Sequence, residues 1–334
     1  MKPRVLVTGG AGFIGSHVAQ AYLADGYDVT VLDDLSTGRI EHVPAGVRFV
    51  EADVRSPHAR AVVRDGACAV LNHHAAQVDV RSSVADPVVD ASVNVIGLLN
   101  LLEGAREGGV RRVILASSGG AIYGDGVDLP TDESATKLPA SPYGVAKLAS
   151  EYYLATFAQL YGMQTVVLRY SNVYGPRQRA DGEGGVVAVF GRRALRGDAL
   201  TVYGDGEQTR DMVYVGDVAA ANVAASRCSV ASIGSVDRCA YNIGTGIQTS
   251  VNRLAALIAE ASRHTPPIQH APARPGEIRY SALAADKAAR EMGWESRTSL
   301  GEGIRATLRW LATAEHHGKG ETRGPAFGSR RVAL

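Results

Sequence analysis

The chain has 334 residues, of which 35 are basic and 34 acidic, for a formal net charge of +1. That length can build one large core or two smaller ones. The balanced charge argues against a nucleic-acid or membrane-surface partner, either of which would normally leave a basic patch or tail.

In chain order, short β-branched runs alternate with longer helical patterns. RVLVT (4–8) leads into FIGSHVAQAYLAD, followed by DVTVLD (28–33), VRFVEA (47–52), CAVLNHH (68–74), a long helical stretch near 87–107 and RRVILASS (111–118). A helix from Pro142 to Tyr161 precedes the strand TVVLRY (165–170). The strands read as continuous apolar runs, as expected of a parallel sheet covered by helices on both faces. Repeated strand–helix–strand units predict an α/β fold with a Rossmann, doubly wound parallel sheet. Beyond Asn172 the texture changes to glycine and arginine through NVYGPRQRADGEGG, which marks the start of a smaller, loop-rich α/β part. The expected division is a dinucleotide-binding domain over 1–175 with returning segments near 215–245. A substrate-binding domain is expected over 176–214 and 246–314. Residues 315–334 are polar, glycine-rich and aperiodic, and are expected to form a disordered tail.

Cys68, Cys228 and Cys239 show no CxxC spacing, so buried thiols in a reducing compartment are expected, with neither a disulfide nor a metal site. The sequence has no run of about 18 apolar residues. The first strand pattern begins within four residues, leaving no room for a signal peptide. A cytoplasmic protein is the expectation.

Two motifs carry chemistry. TGGAGFIG sets Gly9, Gly12 and Gly15 between the first strand and first helix. That spacing permits a tight turn, a close backbone approach to a pyrophosphate and close helix–strand packing, with helix N–H groups facing the anion. Asp33 ends the second strand, where a carboxylate can accept both adenosine ribose hydroxyls and repel a 2′-phosphate. Asp34 follows, where an NADP site would use an arginine, so NAD is the expected cofactor. The second motif is YGVAK, which places Tyr143 and Lys147 four apart on one helix face. A phenol is a poor base at its ordinary pKa of about 10, but a neighbouring ammonium favours the phenolate. The phenolate can then take a proton from a substrate hydroxyl as hydride leaves. A Tyr–Lys surface pair with no catalytic role is the plain alternative, against which stands the position of the pair, 25 residues after a strand ending in Ser117 and Ser118.

Together TGGAGFIGSH, VLDDLSTG, HHAAQ, SSGGAIYG, SPYGVAK, LRYSNVYGPRQ, GEQTRDMVYVGDV, YNIGTG and RPGE resemble the extended short-chain dehydrogenase/reductases. Within these the chain resembles the NAD-dependent epimerase/dehydratase family and, in that family, the bacterial UDP-glucose 4-epimerases. The resemblance spans roughly residues 3–312. It implies tightly held NAD, a UDP-sugar substrate, and a homodimer packed through the helices near 87–107 and 142–161. It implies a cofactor site of Gly9, Gly12, Phe13, Ile14 and Gly15, then Asp33, Asp34, Ser36, Thr37 and Gly38, with Asp53 and Val54 flanking the adenine. Ala75, Ala76, Gln77, Asn94, Ser117 and Tyr170 would line the cofactor beside Tyr143 and Lys147. Asn172 would contact the substrate diphosphate or sugar, together with Gly185 and Val186. Arg210 and Arg274 would neutralise the diphosphate, as charge-assisted pairing suits. Thr201 and Tyr203 would lie beside the uracil, and Glu277 would hold the uridine ribose.

Many relatives relay the substrate proton through a Ser or Thr four residues before the Tyr of the xYG motif. Here that position is Gly119, so Ser118 is assigned the relay, with direct action of Tyr143 as the alternative. A 4,6-dehydratase carries an acid pair at the positions of Gly120 and Ala121, neither of which ionises here, so epimerisation is expected. Ser281 falls at the family's size gate for N-acetylated sugars. Arg179 coincides with an arginine that uronate-specific relatives use for a C6 carboxylate. The expected substrates are therefore UDP-glucose and UDP-galactose, with UDP-glucuronate 4-epimerisation as the alternative. UDP-glucuronate decarboxylation and a noncatalytic NAD-sensing role stand behind both.

Overall fold

A computed structural model describes residues 2–180, 185–229, 235–264, 266–273 and 278–318. The first part runs β1 (Arg4–Thr8), α1 (Phe13–Ala24), β2 (Asp28–Asp33), β3 (Arg48–Glu51), α2 (Pro57–Asp65), β4 (Val70–His73), α3 (Val80–Ala85), α4 (Pro87–Ala91), α5 (Gly97–Glu107), β5 (Arg112–Ser118), α6 (Gly119–Ile122), α7 (Pro142–Tyr161) and β6 (Gln164–Tyr170). It continues through β7 (Asn172–Tyr174), α8 (Val186–Arg196), β8 (Leu200–Tyr203), β9 (Thr209–Tyr214), α9 (Val215–Ala225), β10 (Ala240–Ile243), β11 (Gln248–Ser250), α10 (Val251–Ser262), β12 (Ile268–Ala271), α11 (Asp286–Met292) and α12 (Leu300–Gly318).

Seven strands make one sheet in the order β10-β6-β5-β4-β1-β2-β3. All its pairings are parallel, as the strand–helix alternation predicts. The strand order reverses between β1 and β4, and in such sheets ligands bind in the crevice at the carboxyl ends flanking the reversal. Two apolar clusters cover the faces. One joins α1, α9 and the sheet through Tyr22, Val31, Val218 and Trp294. The other joins α2 and α5 to the sheet through Val63, Leu98, Leu101 and Leu102. A separate core holds Phe190, Leu254, Ile304 and Leu308 from α8, α10 and α12. It lies beside a three-stranded sheet, β11-β9-β7, and a two-stranded one, β12-β8. α9 and β10 return to the large sheet. The 286–294 stretch, expected in the substrate-binding part, also packs there through Ala288 and Trp294.

The helix at 87–107 is long and apolar enough, by length and composition, to cross a membrane, where no such span was expected. Its Leu98, Leu101, Leu102 and Ala105 are buried in the core, so one apolar face packs against α2 and the sheet, while Val88, Val89 and Ile96 stay exposed. Between α4 and α5 the helix widens into a π-turn over Ser92–Ile96, a distortion common at functional sites. α7 starts where its sequence says it should. The Ser141 hydroxyl accepts from the Gly144 N–H at 3.2 Å, Pro142 takes the first turn, and Gly162 ends the helix at φ 66°. α12 runs to Gly318, one turn past the predicted start of the tail; the rest of the tail, 319–334, lies outside the described residues.

Candidate active site

The glycine loop sits at the carboxyl end of β1. Gly9 has φ +67°, and a Cβ there would lie 2.6 Å from the Ala75 nitrogen. A Cβ on Gly15 would run into the Gly9 carbonyl oxygen. Both positions therefore require glycine. α1 begins at Gly12 without a side-chain cap or an acid in its first turn, which leaves the N–H groups of Phe13 and Ile14 available to an anion. At the end of β2 the buried Asp33 carboxylate accepts from Ala11 N–H at 3.0 Å and Leu35 N–H at 2.9 Å. Burial raises its pKa, and those two hydrogen bonds oppose the rise. Gly38 closes over it: a Cβ there would stand 2.8 Å from Asp33 Oδ1. Asp34 turns away to accept from the backbone and hydroxyl of Ser36, and Ser36 and Thr37 are exposed. A backbone cradle with no room for a Cβ, followed by a buried carboxylate, fits a dinucleotide.

The second cluster lies at the ends of β5 and α7. Tyr143 and Lys147 share a face, with the ammonium 5.8 Å from the ring centroid. Lys147 is buried and donates to the Ala116 carbonyl at 3.0 Å. Burial pushes its pKa down to about 8, while Asp90 and Glu151 push it up. Tyr143 is pushed up to about 12 by burial, and a hydrogen bond with Ser118 lowers it. Ser118, Tyr143 and Lys147, assigned from sequence as one catalytic group, thus lie together. A Cβ on Gly119 would lie 2.5 Å from Leu283 Cδ1, so a side chain there would have to displace Leu283.

Gln77 and Asn94 are joined: the Asn94 carboxamide accepts from Gln77 N–H and donates to the Gln77 carbonyl, each at 3.0 Å. Both side chains donate to Asp90 Oδ1, at 2.9 and 3.0 Å. The π-turn is what carries Asn94 inward. Asp90 is 1% exposed, and its Oδ2 has no hydrogen-bond partner among the described residues. Ala75, beside Ala76 on the same segment, donates its N–H to Thr8 Oγ1 at 3.2 Å.

Other candidate residues are engaged elsewhere. The Ser117 hydroxyl donates to Glu151 at 2.5 Å. Tyr170 accepts from Asn222 at 2.8 Å and stacks on His74. Asp53 is forked by Arg55, while Val54 is buried under Gly97. In the second part Asn172 is exposed on β7, and Thr201 accepts from Arg193 at 2.7 Å. Arg210 on β9 donates to the Thr209 carbonyl at 2.8 Å, and Tyr203 is half-buried on β8. Arg179 is exposed. Gly185 caps α8 ahead of Val186, and a Cβ on it would collide with Gln178. Arg274 and Glu277 lie outside the described residues. A narrow crevice beside Gly119 and Gly120 is bordered by Tyr123, Tyr280, Ser281 and Leu283.

Sequence reasoning missed Asp90, Glu151 and Asp211. Glu151 alone had a local signal, one turn beyond Lys147 on α7. It accepts from fully buried Arg169 at 2.7 Å.

Residues 5–244 match the model of the NAD-dependent epimerase/dehydratase family. The putative UDP-glucose 4-epimerase of Methanocaldococcus jannaschii is 40% identical over 307 residues, covering 92% of this chain and 98% of that protein. The crystal structure of UDP-glucose 4-epimerase from Thermotoga maritima with UDP-glucose superposes with a TM-score of 0.88 at 42% identity, covering 93% of this chain and 99% of that one. The Thermus thermophilus UDP-glucose 4-epimerase in complex with NAD gives a TM-score of 0.86 at 44% identity, with the same coverage.

Proposed function

This chain belongs to the NAD-dependent epimerase/dehydratase family, with NAD as its cofactor, and from that premise we propose that it interconverts UDP-glucose and UDP-galactose by inversion at C4. The observation that carries the reading is the grouping of Ser118, Tyr143 and Lys147 at the same, carboxyl, end of the parallel sheet as the glycine loop. Gly120 and Ala121, which cannot ionise, supply no acid–base pair for dehydration.

In this reading the loop from Gly9 to Gly15 holds the NAD pyrophosphate and Asp33 holds the adenosine ribose. When bound, NAD supplies a hydride acceptor and donor whose positive charge adds to that of Lys147. Tyr143 Oη takes the proton of the C4 hydroxyl, with the Ser118 hydroxyl positioned to relay it, and returns it after the sugar has turned. Lys147 favours the phenolate electrostatically and, through its bond to Ala116, stays beneath the ring. Arg210 neutralises the diphosphate, and Asn172 contacts it or the sugar. The homodimer expected through α4–α5 and α7 is supported by Val84, Val88, Val145 and Tyr152, large apolar side chains left exposed on these helices and neighbouring α3.

NMR of the NAD-loaded protein incubated separately with UDP-glucose, UDP-N-acetylglucosamine and UDP-glucuronate tests the assignment. A 4-epimer from UDP-glucose supports it. A 4-epimer from UDP-glucuronate alone replaces the sugar and returns Arg179 to the carboxylate, and no 4-epimer from any of the three refutes the reading.

A further inference from the structure

Asp211 lies on β9 beside Arg210 and is completely buried, yet it belongs to neither motif read from the sequence. Its carboxylate is surrounded by donors. Thr245 gives it both a hydroxyl, at 2.6 Å, and an N–H, at 2.9 Å, and the N–H groups of Gly246 and Leu283 each stand 3.1 Å away. Gly244 approaches so closely that a Cβ there would strike the carboxylate.

Leu283 is held from other sides too. Its neighbours Ala282 and Ala284 exchange backbone hydrogen bonds with Thr131, each 2.8 Å long. Its side chain, 1% exposed, packs with Ile122 and Tyr123. Its Cδ1 and Cδ2 stand 2.5 and 3.0 Å from where a Cβ on Gly119 would be. Gly119 directly follows Ser118, which lies beside Tyr143.

We propose that Asp211 and Leu283 form a strut from the second part of the molecule that sets the Ser118–Gly119 loop in register with Tyr143. Both are positioning residues: neither need touch the reacting atoms. Leu283 fills the space a side chain at 119 would need, which is why the hydroxyl is supplied from Ser118. Because Arg210 is next in chain to Asp211, the same strand that presents a cation for the diphosphate also braces the proton relay. The inference deepens the proposed function and rests on Tyr143 as proton acceptor.

The test uses the NAD-loaded protein and UDP-galactose, with kcat and KM measured for Gly119→Ala, Leu283→Ala, their double variant, and Asp211→Asn. In Asp211→Asn an amide NH2 faces backbone donors, releasing Leu283. Gly119→Ala is expected to lower kcat about 100-fold, the scale of an ångström-level misplacement. Adding Leu283→Ala should bring kcat back to about the level of Leu283→Ala alone, since the clash then disappears. Leu283→Ala and Asp211→Asn alone should each lower kcat about 10-fold with KM changed by less than about threefold. NAD content and the unfolding temperature separate misfolding from misalignment. If Gly119→Ala does not fold, Leu283→Ala carries the test by its split of kcat from KM. Losses at 119 and 283 that simply multiply, an unchanged kcat, or a rise in KM alone would each overturn the strut. A parent protein that epimerises no UDP-sugar would instead overturn the reading of Tyr143.

Discussion

Replacing Lys147 by Met removes a charge while keeping an unbranched side chain of similar length in the buried slot. The ammonium stands 5.8 Å from the Tyr143 ring centroid. At an effective dielectric of about 20, two unit charges at that separation interact by about 3 kcal/mol, or roughly two pK units. Burial, with the Asp90 charge adding to it and the Ser118 hydrogen bond opposing it, pushes the Tyr143 phenol up to about 12, so the residue depends on added positive charge to act near neutrality. With Lys147 titrating at about 8, the ammonium prevails at pH 7. Lys147→Met should therefore lower kcat for UDP-galactose about 100-fold at pH 7 and move the acidic limb of the kcat–pH profile upward by about two units. Lys147→Arg keeps the charge and should leave that limb in place even where its larger head fits poorly. The assay is steady-state turnover of NAD-loaded protein between pH 6 and 10. A Lys147→Met protein with kcat within about threefold of the parent and an unmoved limb would refute the electrostatic argument.

Gly15→Ala forces a Cβ into the Gly9 carbonyl. It should yield protein purified without NAD, read from the ratio of absorbance at 260 and 280 nm; parental NAD content would contradict the cradle. Arg169→Met leaves the buried Glu151 carboxylate without its cation and should cost about 3–5 kcal/mol in urea unfolding. A loss under about 1 kcal/mol would show that Glu151 is compensated elsewhere. Lys147 also leaves a signature in the NAD-free protein, because burial lowers its pKa from 10.5 to about 8. Between those values the unfolded chain binds more protons than the folded one, so this group's contribution to stability rises with pH across the window, by up to about 3 kcal/mol. Unfolding curves at pH 7.5 and 10 compared with Lys147→Met, in which the rise should vanish, check the sign.

The strands from Arg4 to Thr8 and Asp28 to Asp33, the loop from Gly9 to Gly15 and the helix from Pro142 to Tyr161 were legible in the sequence. Each is governed by neighbours within a few residues: apolar runs, glycines that alone permit a close approach, a Ser-Pro helix start and a four-residue helical repeat. Tyr143 and Lys147 inherit that legibility from α7. By contrast, Asn94 reaches Gln77 only through a π-turn that its apolar surroundings do not announce. Ser117 and Ser118 are adjacent and chemically identical, and only packing separates them. One turns to Glu151 beneath Arg169, and the other meets Tyr143.

The sequence by itself determined the parallel sheet, the dinucleotide loop and the Tyr–Lys pair, because backbone geometry and helical periodicity act locally. Only the tertiary structure supplied the reason that the hydroxyl beside Tyr143 is that of Ser118, which the family resemblance assigned by position. That choice depends on the volume of Leu283, 164 positions after Gly119 in the chain, and on the buried Asp211 that holds it. Space filling between distant segments leaves no periodic trace in either one.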